Sequence, residues 1–302
     1  MSLASSAPSI LSACRGDTPA EARVLVGLIG AGIQRSLTPA MHMAEAGHQG
    51  LALHYQLIDL DRAGVSADAL PTLISAASWM GFTGLNITYP CKQAVLPLLD
   101  ALSEEAQAMG AVNTVVFRDG RAIGHNTDGS GWRWGFERSL PDADLSRVVL
   151  LGAGGAGSAI AHALMRMGTG QLLLVDADPV RAAALAAELN RAYGGQRARA
   201  DVAVARAMAG ATGLVHATPT GMDKLPGLPL PAHLLHPGLW VAEIVYFPFE
   251  TALLKAARTL GCRTVDGGTM AVGQAIGAFE LFTGRPADPV RVAAHFRQLI
   301  DR

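Results

Sequence analysis

The chain has 302 residues, half of them hydrophobic, and its 24 Lys and Arg nearly balance 25 Asp and Glu, for a net charge of −1. That balance gives no electrostatic footprint for nucleic acid or an anionic membrane. The three cysteines, Cys14, Cys91 and Cys262, are too few and scattered for a disulfide framework or a zinc site, so no metal is expected. No apolar run reaches the roughly 18 residues of a spanning helix. The length suggests two domains.

Residues 1–23 are rich in Ala, Ser and Pro and lack the apolar core of a signal peptide, so they read as a disordered tail. A reducing cytoplasm is the expected compartment. Val24–Gly30 reads as a buried strand ending in glycine. After a loop, Thr38 before Pro39 reads as a helix N-cap with proline at the first helical position. Ser36 and Thr38 then lie at the carboxyl end of a strand, where open α/β sheets bind ligands. Strands follow at 53–60, 84–88 and 110–117, with helices at 71–80 and 93–109. Asp119-Gly120 turns the chain back through residues 122–124 toward Asn126-Thr127-Asp128-Gly129. A helix over 132–140 leads to the second half. There, strands are expected at 148–151, 171–176, 213–217, 239–244 and 262–265. The helices between them fall at 156–167, 179–194, about 201–208 and 250–260, and two more at 270–283 and 289–300 end the chain. The class is α/β, with mostly parallel sheets.

The stretch that organises this pattern is Val148-Val149-Leu150-Leu151-Gly152-Ala153-Gly154-Gly155-Ala156-Gly157. An apolar strand runs into Gly-x-Gly-x-x-Gly, an alanine-rich helix follows, and the next strand closes on Asp176. This is the order of a dinucleotide-binding βαβ unit. Gly152 permits the tight turn, Gly154 lets the backbone approach a pyrophosphate, and Gly157 lets helix and strand pack closely. Asp176 stands where a carboxylate accepts bonds from ribose hydroxyls, and a 2′-phosphate would meet like charge there, which favours NAD over NADP. Arg181 is the counter-signal, since a nearby arginine accommodates a 2′-phosphate.

In the first half, Ser36, Thr38, Asn86, Thr88, Lys92, Asn113 and Asp128 gather at the ends of apolar strands. Taken singly, each also fits a local role such as a turn cap, a strand end or a solvated lysine. Together they offer hydroxyls, amides, one ammonium and one carboxylate, a set suited to a polyol.

The motifs resemble those of the shikimate/quinate dehydrogenase family. They are Ser36-Leu37-Thr38-Pro39, Asn86-Ile87-Thr88-Tyr89-Pro90-Cys91-Lys92, Gly110 to Thr114, Asn126 to Gly129, Gly152 to Ala156, Ala217 to Met222, Tyr246, and Gly267-Gly268 to Gln274. They cover about residues 24–300 in the family's order. The resemblance implies a hydride transfer between a nicotinamide cofactor and a cyclic polyol carboxylate of the shikimate or quinate type. It implies Lys92 and Asp128 as the catalytic pair, and Ser36 and Thr38 at the substrate carboxylate. Asn86, Thr88, Asn113, Tyr246 and Gln274 would complete the substrate site. Gly152, Gly154, Gly155, Ala156, Gly157, Asp176, Arg181, Thr218 and Gly267 would hold the cofactor, with Thr218 and the 244–246 segment lining its nicotinamide side. Gln274 follows a glycine pair able to redirect the chain and lies too far along to continue the Rossmann sheet, so the substrate domain is expected to be discontinuous, 24–128 plus 270–302, with a Rossmann domain, 129–269, inserted. A monomer and a homodimer are both compatible with the resemblance.

Two departures from the biosynthetic NADP-dependent pattern, Thr38 in place of serine and Asp176-Ala177-Asp178 after the second strand, point to an NAD-linked quinate/shikimate or aminoshikimate enzyme. The NADP-dependent biosynthetic enzyme is the alternative. A ligand-sensing regulator on the same fold is disfavoured, because a sensor need not keep both Lys92 and Asp128. Cys91 reads as a small buried filler.

Overall fold

The computed structural model describes residues 23–301. The expected tail therefore lies outside the described residues, apart from Arg23. The fold is α/β, built on two six-stranded sheets. The first contains β1 (Val24–Gly30), β2 (Leu53–Asp59), β3 (Gly84–Ile87), β4 (Ala101–Leu102), β5 (Thr114–Arg118) and β6 (Arg121–His125), in the order β2-β1-β3-β5-β6-β4. β1 pairs in parallel with β2 and β3, while β5 runs antiparallel to both β3 and β6. The second contains β7 (Arg147–Leu151), β8 (Gln171–Val175), β9 (Ala198–Ala200), β10 (Gly213–His216), β11 (Trp240–Glu243) and β12 (Arg263–Val265), all parallel, in the order β12-β11-β10-β7-β8-β9.

Strand order sets where loops can open. From β1 the chain goes to β2 on one side and then to β3 on the other, so the order reverses between β1 and β3. From β7 it goes to β8 and β9, then returns to β10 on the opposite side. Each reversal leaves a crevice at the carboxyl ends of the strands. The segments after β1 and β3 carry Ser36 and Lys92, and the loops after β7 and β10 carry Gly152 and Thr218.

Four segments differ from expectation. The run 93–109 is not one helix. It divides into helix Cys91–Ala94, a 3₁₀ turn at Leu96–Leu98, the short strand β4 and helix Glu104–Met109. Pro97 removes a helical N–H, and the Ser103 hydroxyl accepts from Ala106 N–H to cap a fresh helix. Thr38 is not the N-cap. Leu37 is, with αR backbone, and Thr38 is the first helical residue of Thr38–His48, so its hydroxyl is not spent on capping. The helix expected to begin at Trp132 instead begins at Asp128 and runs to Ser139, which puts the Asp128 carboxylate in a first turn. β9 was not anticipated, because three residues carry too little period to register.

Helix Gly267–Thr283 leaves the second sheet and packs against the first. Val272, Ala275 and Phe279 join Met41 and Ala46 in one apolar cluster, and Ala278 and Phe282 join Val24, Val26 and Leu28 in another. Helix Pro289–Ile300 follows it, held by a two-bonded pair: Arg291 Nε and Nη2 each lie 2.7 Å from a carboxylate oxygen of the buried Glu45. Burial alone would raise the Glu45 pKa, but hydrogen bonds from Arg291, Asp288 N–H and Gln49 outweigh that and hold it below the ordinary range. Helix Gly267–Thr283 crosses helix Asp128–Ser139 backbone to backbone. A Cβ on Gly131 would sit 2.3 Å from Gln274 N, and one on Gly273 would sit 2.2 Å from Gly131 O.

Gly131→Ala should therefore force the two helices apart and lower stability by roughly 1–3 kcal/mol, read as a fall in Tm. Gly47→Ala, whose Cβ meets nothing within 4 Å, should be neutral or stabilising in the same assay.

His42 gives a second expectation. It is 1% exposed between Tyr55, Phe279 and Phe282, and neither ring nitrogen has a hydrogen-bond partner among the described residues. Burial lowers its pKa from 6.5 to about 3. Above pH 6.5 the folded and unfolded forms are both neutral. As pH falls from there toward 3, the unfolded chain binds a proton that the folded chain refuses, so stability is lost. Chemical denaturation at pH 7 and pH 5 should show the parent losing about 1–2 kcal/mol more than His42→Leu over that interval. Equal losses would show that His42 takes its proton in the folded state.

Candidate functional site

The carboxyl ends of the first sheet bring together a hydrogen-bonded chain of side chains. Tyr55 on β2 donates its hydroxyl to Asn86 Oδ1 at 2.6 Å. The Asn86 amide donates to Thr114 Oγ1 at 3.1 Å and to Asn113 O at 3.3 Å. Thr114 Oγ1 donates to Asn113 Oδ1 at 2.9 Å. The Asn113 amide then donates to Thr127 Oγ1 and Asp128 Oδ1, both at 2.9 Å. Asp128 Oδ2 receives Lys92 Nζ at 2.5 Å. Lys92 reaches this point because helix Cys91–Ala94 starts directly behind β3, with Cys91 Sγ buried in the core and Lys92 on the open side. Burial raises the Cys91 thiol pKa, which fits a packing role.

Asn86 and Asn113 are each 3% exposed, and both amide protons of each are engaged inside the protein. Through Asn113 these bonds run on to the Lys92–Asp128 pair. Asp128 is 5% exposed, and its backbone N–H donates to Asn126 Oδ1, while the Asn126 amide donates to Ala111 O. Thr127 Oγ1 donates to Gln274 O at 3.1 Å, which ties helix Gly267–Thr283 to this corner. The Gln274 amide nitrogen donates to Ala271 O, leaving its side-chain oxygen as an acceptor.

Ser36 and Thr38 stand partly exposed at the start of helix Thr38–His48, beyond β1. Asp59 orders the loop before them: it accepts from Gln34 Nε2 at 2.8 Å and from Gly32 N–H at 3.1 Å, and the Gln34 bond is the main cause of its lowered pKa. Arg35 faces Asp223 at 3.9 Å and lies over the Phe247 ring at 5.1 Å, so the Ser36 loop meets loops that follow β10 and β11. Thr88 packs tightly on Gly30, where a Cβ would fall 2.3 Å from its methyl. Tyr246 packs on Phe247 and Phe296, and burial raises its hydroxyl pKa.

At the second crevice, Gly152 has φ +99°, and a Cβ there would lie 2.5 Å from Ala217 O. A Cβ on Gly157 would lie 2.0 Å from Gly152 O, so only glycine lets helix Gly155–Arg166 seat on the turn. Gly154 and Gly155 have nothing within 4 Å of a Cβ position, which leaves the backbone beside Ala156 open to a ligand. The first-turn N–H groups of this helix suit a pyrophosphate. A Cβ on Gly267 would strike Ile244 O at 2.2 Å, so glycine there lets the final long helix start against the turn after β11.

Asp176 Oδ2 accepts from Ala153 N–H at 2.6 Å and Oδ1 from Asp178 N–H at 2.8 Å. Arg181, which the sequence places at the side of the adenosine, closes on this same carboxylate, with Nη2 at 2.6 Å and Nε at 3.3 Å. Burial raises the Asp176 pKa, and the bonds from Arg181 and the two backbone N–H groups more than reverse it. Thr218 stands half-buried beside Gly152.

The sequence reading missed Tyr55, Thr114, Thr127, Asp59, His216 and Glu243. Thr127 lies within the Asn126–Gly129 pattern and Thr114 ends the Gly110–Thr114 pattern, so both were available there. The others carry no local signal, because strand pairing alone brings them to their partners. Among the described residues no helix is long and apolar enough to cross a membrane, and no cluster of three potential metal ligands occurs.

Comparison with known proteins agrees with these two crevices. Residues 28–115 match the shikimate dehydrogenase substrate binding domain, and residues 136–218 match the ThiF family. The chain is 60% identical over 277 residues to the shikimate dehydrogenase (NADP(+)) of Streptomyces avermitilis, covering 91% of this chain and 95% of that one. It is 50% identical over 279 residues to the quinate/shikimate dehydrogenase (NAD(+)) of Corynebacterium efficiens, covering 91% and 98%. The quinate dehydrogenase of Corynebacterium glutamicum in complex with NAD superposes with a TM-score of 0.87 at 48% identity, covering 91% of this chain and 99% of that one. Identity at this level across nine-tenths of the chain fixes the family: this chain belongs to the shikimate/quinate dehydrogenases, NAD(P)-dependent oxidoreductases.

Proposed function

We propose that this chain is an NAD-linked dehydrogenase of shikimate and quinate, with residues 24–128 and 270–302 forming the substrate domain and 129–269 the cofactor domain. The observation that carries the reading is the Lys92–Asp128 pair, 2.5 Å apart and propped by Asn113. Oxidising a carbinol needs a hydride acceptor, which the nicotinamide supplies when bound, and a group to take the hydroxyl proton. Lys92 and Asp128 take that proton between them. The ammonium form of Lys92 also stabilises the negative charge that grows on the carbinol oxygen. Asn86 and Asn113 keep the pair oriented.

Ser36 and Thr38 receive the substrate carboxylate. Thr88, Gln274 and Tyr246 border the ring and its hydroxyls. Gly152, Gly154, Gly155, Ala156 and Gly157 receive the pyrophosphate, and Asp176 the adenosine ribose. The chain acts as a monomer or homodimer on small molecules and works in the cytoplasm.

The cofactor assignment rests on Asp176, whose side chain is 5% exposed and anchored to the glycine loop through Ala153 N–H. A 2′-phosphate of charge near −2 would have to sit beside it. A specific observation favours the second reading, NADP: Arg181 already neutralises Asp176, is half-exposed, and can turn outward to a phosphate. The relative named for NADP at 60% identity points the same way.

Steady-state oxidation of shikimate and quinate with NAD and with NADP separates the readings. NAD should be used with the higher kcat/KM, and Asp176→Ala should lose NAD affinity and gain relative use of NADP. An unmodified protein that prefers NADP makes Arg181 the dominant group at this corner. Turnover of neither substrate with either cofactor would remove the proposal.

A further inference from the structure

At the carboxyl end of the second sheet stand two buried side chains that the reaction above does not use. His216 ends β10 and Glu243 ends β11, and the parallel register sets them side by side. They are 0% and 1% exposed. Glu243 Oε1 accepts from the backbone N–H groups of Ile244 at 2.8 Å and Val245 at 3.0 Å, and it faces His216 Nδ1 at 2.8 Å. Its Oε2 accepts the Thr251 hydroxyl at 2.9 Å. A carboxylate oxygen has no proton to give, so the ring proton sits on Nδ1, since a bare Nδ1 would set two lone pairs against each other. His216 Nε2 is then an acceptor, and Thr218 Oγ1 lies 2.5 Å from it.

Thr218 therefore directs its one hydroxyl proton inward. Thr220 N–H takes one of its lone pairs at 3.3 Å. One lone pair remains. The residue is half-buried beside the glycine turn, its methyl 3.1 Å from where a Cβ on Gly152 would be. An oxygen in this state can only accept a hydrogen bond from a ligand, whereas an ordinary threonine hydroxyl can give or accept.

We propose that Glu243 and His216 fix Thr218 as a one-way acceptor that selects the N–H of the nicotinamide carboxamide. The inference rests on the reading of Thr218 and the 244–246 segment as the nicotinamide side of the site. Glu243 and His216 are positioning residues that act through Thr218. The order Thr–His–Glu has the hydrogen-bond pattern of an activated nucleophile. With no exposed surface on His216, however, its Nε2 cannot pass a proton to a leaving group, so positioning is the role that geometry allows.

The test is the dissociation constant, by calorimetry, of NAD against 3-acetylpyridine adenine dinucleotide, in which a methyl replaces the carboxamide nitrogen and the carbonyl remains. If the working cofactor carries a 2′-phosphate, the phosphorylated pair is used. The unmodified protein should bind NAD about tenfold more tightly than the analogue, the scale of one hydrogen bond lost with its acceptor left unpaired. Thr218→Ser should keep that ratio. Thr218→Val should bring it to within about twofold. His216→Asn is the decisive variant. Its amide nitrogen stands where Nδ1 was and keeps a donor on Glu243, so no buried carboxylate is left unpartnered, but nothing occupies the place of Nε2. It too should bring the ratio to within about twofold.

A ratio unchanged in His216→Asn makes the dyad merely structural and overturns the proposal. So does an unmodified protein that favours the analogue, which would mean that Nε2 carries a proton and Thr218 donates, or one that binds neither dinucleotide. Failure of the functional reading shows elsewhere, as absence of turnover with shikimate and quinate, and leaves the binding ratio readable.

Discussion

The arrangement depends on one crossing. Helices Asp128–Ser139 and Gly267–Thr283 touch through the backbones of Gly131 and Gly273, with no side chain between them. The first helix carries Asp128 at its start and the second carries Gln274 one residue beyond the contact. A backbone contact of this kind fixes axial position as well as distance, because at Gly131 and Gly273 there is no side chain that can repack. Thr127 Oγ1 to Gln274 O adds a direct bond at the same place. The chain thus returns from the second sheet to the first and locks, and the two crevices are held in register by the same pair of helices.

Within that frame the polar groups at the first crevice form a closed account of donors and acceptors. Burying the Asp128 carboxylate would be costly without partners. Asn113 and Lys92 supply them, and Asn113 is held by Thr114 and Thr127, which are held by Asn86 and the final long helix. The second crevice uses the same device in a different chemistry: Glu243 collects two backbone N–H groups, a threonine hydroxyl and an imidazole, and passes a fixed orientation outward to Thr218.

Much of this was legible in the sequence where a residue type is forced by backbone geometry. Gly152 and Gly157 were readable because no other residue survives a carbonyl at 2.5 Å or 2.0 Å. Lys92 and Asp128 were readable as polar residues at apolar strand ends. What was not legible depends on pairing across distance. His216 and Glu243 are 27 residues apart, and only the β10–β11 register joins them. That the Asn86 and Asn113 amides are engaged inside the protein follows from Tyr55, Thr114 and Thr127, whose pairing with them only the fold brings about. The segment 93–109 was misread as one helix because its apolar spacing suits a helix, while Pro97 and the Ser103 cap divide it. The position of Arg181 in the sequence marks it as a neighbour of the ribose, and its closure on Asp176 is a side-chain conformation that no pattern encodes.

The central claim is that Lys92, oriented by Asp128, handles the proton of the substrate hydroxyl. Lys92→Met keeps the length and apolar stem of the side chain and removes only the amine. Calorimetry of shikimate onto the NAD-loaded protein, paired with single-turnover oxidation, separates binding from chemistry. Substrate affinity should stay within about threefold of the parent while the oxidation rate falls by roughly 10²–10⁴-fold. An oxidation rate close to the parent's would contradict the account and leave Lys92 as a surface residue beside the site.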